Sequence, residues 1–245
     1  MAAAARFATA TAQLTGEREL LRRVDTKYLC SRAQATALIE ALLPHYAALP
    51  VAGNIATYRS LYFDTADLRC YHDHRRGRRL RQKVRIRHYP DRMLSYLEVK
   101  TKKNEAITDK RRRPMPFREE LLGPDELAYL NRIVDLPVDD LRPVMRIDFR
   151  RLSLVGLATA ERVTIDTDLD VEALDGARWS AGDRVVLEIK QSPFCVRTPV
   201  MRVLHDLGLR EQSMSKYTIA TAFIRPELRR NRLLPDLRAI ERMGA

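Results

Sequence analysis

The chain is poor in the features that usually settle a protein's class. Its three cysteines, Cys30, Cys70 and Cys195, are odd in number and form no C-x-x-C pair. That argues against a disulfide framework or a structural zinc site and points to a reducing, cytoplasmic setting. No window reaches about 18 apolar residues, so no transmembrane helix is expected. The Ala-rich start from Met1 to Thr15 is interrupted by Arg6 and Gln13 and lacks the compact apolar run of a signal peptide. G-x-G-x-x-G, a P-loop and H-E-x-x-H are all missing, which removes the common nucleotide and metalloprotease sites. Aromatic residues reach only 7%, too few to interleave with the basic residues as stacking platforms for nucleic acid. There is no internal repeat and no low-complexity linker.

Positive charge, by contrast, is abundant. Lys and Arg number 44 against 32 Asp and Glu, a formal +12 over 245 residues. Such an excess calls for a polyanionic partner: nucleic acid, an anionic membrane surface or phosphate-rich small molecules. Apolar residues at 45% are enough for a core.

Strands punctuated by a few helices account for the pattern. A first strand is expected over 21–29, and Ser31 caps a helix that Pro44 stops. Strands follow near 57–63, 80–89 and 94–102, then a helix near 124–133 with acidic residues in its first turn. Further strands are expected near 144–154, 162–169 and 184–190. Thr198 and Pro199 read as the cap and first turn of a short helix ending at Gly208. Residues 217–223 read as a strand, and 226–243 as a basic helix broken at Pro235. With no βαβ rhythm, the class is mainly β, an antiparallel sheet or barrel.

Side chains alternate faces along a strand, and the charges obey that period. Arg23, Asp25 and Lys27 share a face, as do Arg81, Lys83, Arg85 and Arg87. Glu98, Lys100 and Lys102 do the same, as do Arg146, Asp148 and Arg150, Asp166 and Asp168, and Glu188 and Lys190. One explanation is an ordinary sheet with a solvated face. The other is a closed barrel whose charged interior holds an anion, with the helices packed outside. Arginine over lysine at 81–87 suits bidentate phosphate contacts, and carboxylates beside the cations suit a metal. The pair His72-x-His74 reads as solvated loop. The run Lys110–Arg113 reads either as an electrostatic funnel or as a solvated loop.

Six segments in order resemble one family. Arg23-Val24-Asp25-Thr26-Lys27-Tyr28, Tyr58-Arg59-Ser60-Leu61-Tyr62-Phe63-Asp64-Thr65 and Lys83-Val84-Arg85-Ile86-Arg87-His88-Tyr89 are the first three. Leu97-Glu98-Val99-Lys100, Leu187-Glu188-Ile189-Lys190 and Ser215-Lys216-Tyr217 complete the set. They are similar to the polyphosphate-polymerase domain of the vacuolar transporter chaperone (VTC) complex, within the CYTH-like triphosphate tunnel metalloenzymes. The resemblance implies a closed, eight-stranded antiparallel tunnel around ATP, triphosphate or polyphosphate. It also implies transfer of the ATP γ-phosphate to a growing chain, with Mn²⁺ or Mg²⁺. Carried across, Lys27, Arg85, Arg87, Lys100, Arg150 and Lys216 become phosphate ligands, and Ser215 a hydrogen-bond donor. Lys110 or Arg111 would add a further contact. Lys83, Arg146 and Lys190 share the charged faces and join the phosphate-binding set. Glu188 becomes the metal ligand, with Glu98 beside it.

The wider superfamily often opens with E-x-E-x-K, whereas this chain has only Asp25 before Lys27, which favours the polymerase-like branch. The alternatives are an inorganic triphosphatase and a polyphosphate or inositol-phosphate binding module without turnover. The expected layout is a flexible 1–17, a tunnel domain over 18–225 and a basic helical tail over 226–245. No nucleic-acid partner is expected, and any membrane partner would be a separate chain.

Overall fold

The computed structural model describes residues 2–17, 23–103, 108–212 and 214–243, so the expected strand start at Leu21 lies outside the described residues. Among the described residues there are ten strands: β1 (Val24–Ser31), β2 (Tyr46–Ala48), β3 (Ile55–Asp64), β4 (Arg81–Tyr89), β5 (Leu94–Lys102), β6 (Thr108–Met115), β7 (Arg142–Gly156), β8 (Glu161–Ala173), β9 (Arg178–Ser180) and β10 (Arg184–Gln191). The described helices are α1 (Ala12–Glu17), α2 (Arg32–Leu42), α3 (Arg69–Arg76), α4 (Pro124–Asn131), α5 (Pro199–Asp206), α6 (Lys216–Ile224) and α7 (Leu234–Arg242).

All strand pairings are antiparallel, in the order β1-β10-β8-β7-β3-β4-β5-β6, with β2 on β7 and β9 on β8. The antiparallel, mainly β class is as expected, but the sheet is not closed by hydrogen bonds: β1 and β6 end the path, and among the described residues no ladder joins them. The sheet nevertheless curls strongly, because side chains of β1, β4, β5, β6 and β10 line one cavity.

Local signals placed most helices. Ser31 and Gln34 form a reciprocal capping box at the start of α2. Thr198 and Pro199 open α5, and Gly208, at φ +67°, follows its end. The convex face of β1, β10, β8 and β7 is covered by α2 and α5, where Leu38, Leu42 and Val200 pack on Leu152, Ile165 and Leu187. Leu130 of α4 covers Leu61, Ile86 and Leu97 on β3, β4 and β5. Each such fully buried side chain contributes about 1.5–3 kcal/mol.

The concave face is divided. Helices α3, α6 and α7 fill one part, packing Tyr71, Tyr217, Ile219 and Leu237 against Tyr62, Met145, Ile147, Phe149 and Val171. Trp179 of β9 stacks on Phe223 of α6 with ring centroids 4.6 Å apart. The rest of the face is charged.

Two expected elements are corrected here. Residues 217–223 are helical: Ser215 accepts from the Thr218 backbone N–H and caps α6. The helix is buried over Tyr217–Ala222, so it has no polar stripe to betray its period. Pro235 sits in the first turn of α7 and starts that helix instead of breaking it.

Candidate functional site

The site is built on β4 and β5, whose strict alternation sends Lys83, Arg85 and Arg87 to the concave face opposite Lys100, Glu98 and Tyr96. Lys27 on β1 pairs with Glu188 on β10, and Asp25 with Lys190, bringing a second charged row to the same face. Asp64 fixes the helical wall. Fully buried, it accepts from the Cys70 and Tyr71 backbone N–H groups at the start of α3 (2.8 and 3.0 Å) and from the Tyr217 hydroxyl of α6. Asp64 thereby locks α3 and α6 together and sets the N-terminus of α6 against the charged cleft.

Two buried networks are internally balanced. The Glu98 carboxylate takes both Nε and Nη2 of Arg85 (2.8 and 2.6 Å) on one oxygen, and Lys110 (2.5 Å) and the Tyr89 hydroxyl (3.3 Å) on the other. Burial pushes its pKa up, but Arg85, Arg87 and Lys110 outweigh that and hold it well below the usual carboxylate range. In the second network Asp166 accepts from Arg151 Nε and Nη2 (2.5 and 2.7 Å) and from Lys216. Burial again opposes ionisation, yet Arg151 and Lys216 bring Asp166 down to about 2. Arg87 and Arg151 lie over the Tyr58 ring at 5.3 and 4.9 Å, and Lys216 over Phe149 at 4.9 Å.

The open part of the cleft is different. A cavity of about 900 Å³ is lined by Arg23, Lys27, Arg81, Lys83, Lys100 and Lys102, against Asp25 and Glu211 as the carboxylates among the described residues. Lys83 donates to the Ser215 hydroxyl (2.7 Å) and Lys27 to the Met214 carbonyl (2.8 Å), both neutral acceptors. Burial, and then repulsion from Lys100, Lys27 and Arg85, pushes Lys83 well below its ordinary value. Lys100 is lowered by burial and by Lys27, against the pull of Glu188. Ser215 and Thr218, in the first turn of α6, face the same space, and the buried Thr218 hydroxyl has no hydrogen-bond partner. Cations there repel one another, and the Thr218 hydroxyl lacks a partner among the described residues. An anion with several oxygens relieves both.

Of the expected residues, Lys27, Lys83, Arg85, Arg87, Lys100, Lys110, Glu98, Glu188, Lys190, Ser215 and Lys216 come together on this face. Three do not. On β7 the inward residues are Met145, Ile147, Phe149 and Arg151, the ladder partners of Tyr62, Ser60, Tyr58 and Ala56. Arg146 therefore faces out, bound to Glu120 at 2.7 Å, and Arg150 is exposed. Arg151, absent from the sequence-based set, takes the inward place. Arg111 also faces out, on Asp109 at 3.1 Å, whereas Lys110 and Arg112 face in as partners of Lys100 and Glu98.

Asp168 parts from Asp166 because a bulge, with Asp168 at φ +52°, shifts the phase of β8, and Asp168 binds Arg32 at 2.7 Å. His74 is not in a solvated loop: it sits on α3 and lines the cavity, and burial together with Lys83 pushes it down to about 2.

For a divalent cation, Glu98 does not fit, since donors occupy both oxygens. Glu188, ion-paired with Lys190 at 2.9 Å, is held ionised: burial raises its pKa, but Lys190, Lys27 and Arg151 bring it well below the ordinary value. Among the described residues no group of three His, Cys, Asp or Glu could hold a metal. The donor set fits the mode in which one carboxylate and substrate phosphates share a hard cation.

The curled antiparallel sheet is a fold shared with solved structures of low sequence identity. The chain is similar to a candidate adenylyl cyclase from Hippeastrum with a dominant triphosphatase activity, at TM-score 0.54 and 14% identity over 82% of this chain and 96% of that one. It is also similar to a candidate adenylate cyclase from Bacillus halodurans, at TM-score 0.52 and 12% identity over 79% and 94%. The chain belongs to the VTC domain family, whose pattern it matches over residues 22–225. No curated protein matches it.

Proposed function

We propose that this chain is a polyphosphate polymerase-like phosphotransferase, holding ATP, triphosphate or polyphosphate in the cationic cleft and acting with Mn²⁺ or Mg²⁺ at Glu188. One observation carries the proposal: Lys27, Lys83, Lys100 and the first turn of α6 converge on one cavity with few carboxylates to neutralise them. Phosphoryl transfer asks for positioning and charge more than for a covalent nucleophile. Lys27, Lys83 and Lys100 bind non-bridging oxygens, and Ser215 and Thr218 donate hydroxyl hydrogen bonds. Arg87, held by Ser60 at 3.0 Å through Nε, has Nη groups not tied to a carboxylate among the described residues and adds positive charge to the same face. Arg85, Arg151 and Lys216, fixed by Glu98 and Asp166, line the path with oriented positive charge. A bound divalent cation supplies neutralisation of the charge that develops between the β- and γ-phosphates. The accepting phosphate oxygen is already an anion, so the transfer needs no side chain to remove a proton.

Triphosphate hydrolysis is the second reading, favoured by the triphosphatase activity of the Hippeastrum protein. A module that binds polyphosphate or inositol phosphate without turnover would use the same cleft.

Incubation with ATP and Mn²⁺, followed by a gel stained for phosphate chains and an assay for released phosphate, separates the three. Long chains are expected. Free phosphate alone would move the assignment to hydrolysis, and neither product with tight tripolyphosphate binding would leave a binding module. Glu188→Gln keeps the side chain's shape and removes its charge. It should abolish metal-dependent turnover; because it leaves the buried Lys190 without its carboxylate it should also lower the melting temperature, so turnover is compared at a temperature where both proteins are folded.

A further inference from the structure

The cavity that gathers the lysines also has apolar lining. Val24, Pro193 and Phe194 line it together with Lys27 and Lys100. Phe194 is 46% exposed and Val24 is 47% exposed. A phenyl ring left nearly half exposed beside a cationic cleft gains only part of what full burial would give. It does not help hold inorganic phosphate, which has no apolar face.

The ring is not on a loose loop. Gln191, itself buried, clips the segment. Its amide nitrogen donates to the Cys195 carbonyl at 2.9 Å, and its amide oxygen accepts from the Cys195 backbone N–H at 3.3 Å. The same amide nitrogen is anchored to buried Glu161 at 2.9 Å. Gln191 also pairs with Val24 across the β1–β10 ladder, so the two exposed apolar side chains stand on one clamped frame. Phe194 is thus presented in a fixed place at little entropic cost on binding.

We infer that Phe194, backed by Val24, is a stacking platform for the base of a nucleoside triphosphate whose phosphates enter the lysine cleft. This inference rests on the phosphate-binding reading above and adds what it leaves open, namely how the chain distinguishes a nucleotide from inorganic triphosphate or polyphosphate. The sorting is by chemistry along one cavity: a π face and aliphatic contacts for the base at the rim, ammonium and hydroxyl donors for the phosphates within. Stacking is tolerant of base identity, because every base has a π face. The platform selects for a nucleoside and not for one base.

The test compares two ligands on three proteins. ATP and inorganic tripolyphosphate are titrated calorimetrically into the wild type, Phe194→Ala and Phe194→Trp. Removal of the ring should weaken ATP by about tenfold and leave tripolyphosphate within about twofold, while tryptophan should keep or tighten ATP. Equal weakening of both ligands, or no change in either, would overturn the platform. Wild-type protein that binds neither ligand would overturn the phosphate reading and the platform together. Wild-type protein that binds tripolyphosphate but not ATP would overturn the platform alone. Because Phe194 is exposed, the alanine variant is expected to fold, and its melting temperature checks that directly.

Discussion

The two charged regions of the concave face use the same residue types to opposite ends. Around Glu98 and Asp166, Arg85, Lys110, Arg151 and Lys216 each have a carboxylate within hydrogen-bonding distance, and the aromatic faces of Tyr58 and Phe149 bed Arg151. Around the cavity, Lys27 and Lys83 are met by a carbonyl and a hydroxyl. The first region has its counter-ions in the free protein; the second, on the proposed function, is completed by the phosphate chain. Buried charge alone does not mark a binding site, then. Buried charge lacking its counter-ion does.

The largest expected effect breaks the finished region. Asp166→Asn leaves Arg151 and Lys216 without their carboxylate and should cost about 3–5 kcal/mol, read from the midpoint of urea unfolding. In the parent protein Asp166 stays ionised down to about 2 against an ordinary 3.8. Its stabilisation is therefore present above 3.8 and lost as pH falls toward 2. The variant should lose the part of the acid-unfolding slope that lies in that window.

Next comes the unfinished region. Lys83→Met should weaken tripolyphosphate by about ten- to a hundredfold and leave the free protein as stable or more so, because it removes a repelled cation. If the free protein melts far lower instead, the amine is structural and the contrast between the regions fails.

Lys110 stands between the two regions, tied to Glu98 yet pushed down to about 8, first by burial. Its unfolded value is the ordinary 10.5, so between 8 and 10.5 the unfolded chain holds more protons than the folded one. Stability of the free protein should rise with pH across that window, while tripolyphosphate should bind more weakly as the cation is lost. Lys110→Gln should flatten both trends.

The smallest effect is expected outside. Arg150→Ala should leave tripolyphosphate affinity unchanged and alter stability by about 0–1 kcal/mol, whereas its neighbour Arg151→Ala should damage both. The reverse result would mean that the inner and outer faces of β7 have been exchanged.

That pair also shows how far the sequence could be read. Alternation placed β4 and β5 correctly because neither carries a bulge and both have one charged face turned to the cleft. The same rule on β7 found two faces but could not say which was inside. There the inner face at Met145, Ile147 and Phe149 packs with residues of α3, α6 and α7, so the charged face of Arg146, Asp148 and Arg150 is the outer one. On β8 the bulge at Asp168 changed the phase within one strand, and nothing in the residues themselves announced it. Asp64 was visible only as part of a motif. Its work, joining α3 to α6, needs the two helices to be in place first. A closed barrel was one of two readings of the charged faces, and its eight-stranded form came from the resemblance; among the described residues the ladders stop at β1 and β6.

The stack of Trp179 on Phe223 has a practical side. Trp179 is the only tryptophan in the chain, so the protein's long-wavelength fluorescence comes from a single ring resting on α6. The far end of that helix carries Ser215 and Lys216 at the cleft. Any tilt or tightening of α6 against β9 changes the surroundings of that one emitter. The molecule carries its own optical gauge of the element that faces the ligand, with no label to attach and no second tryptophan to blur the signal.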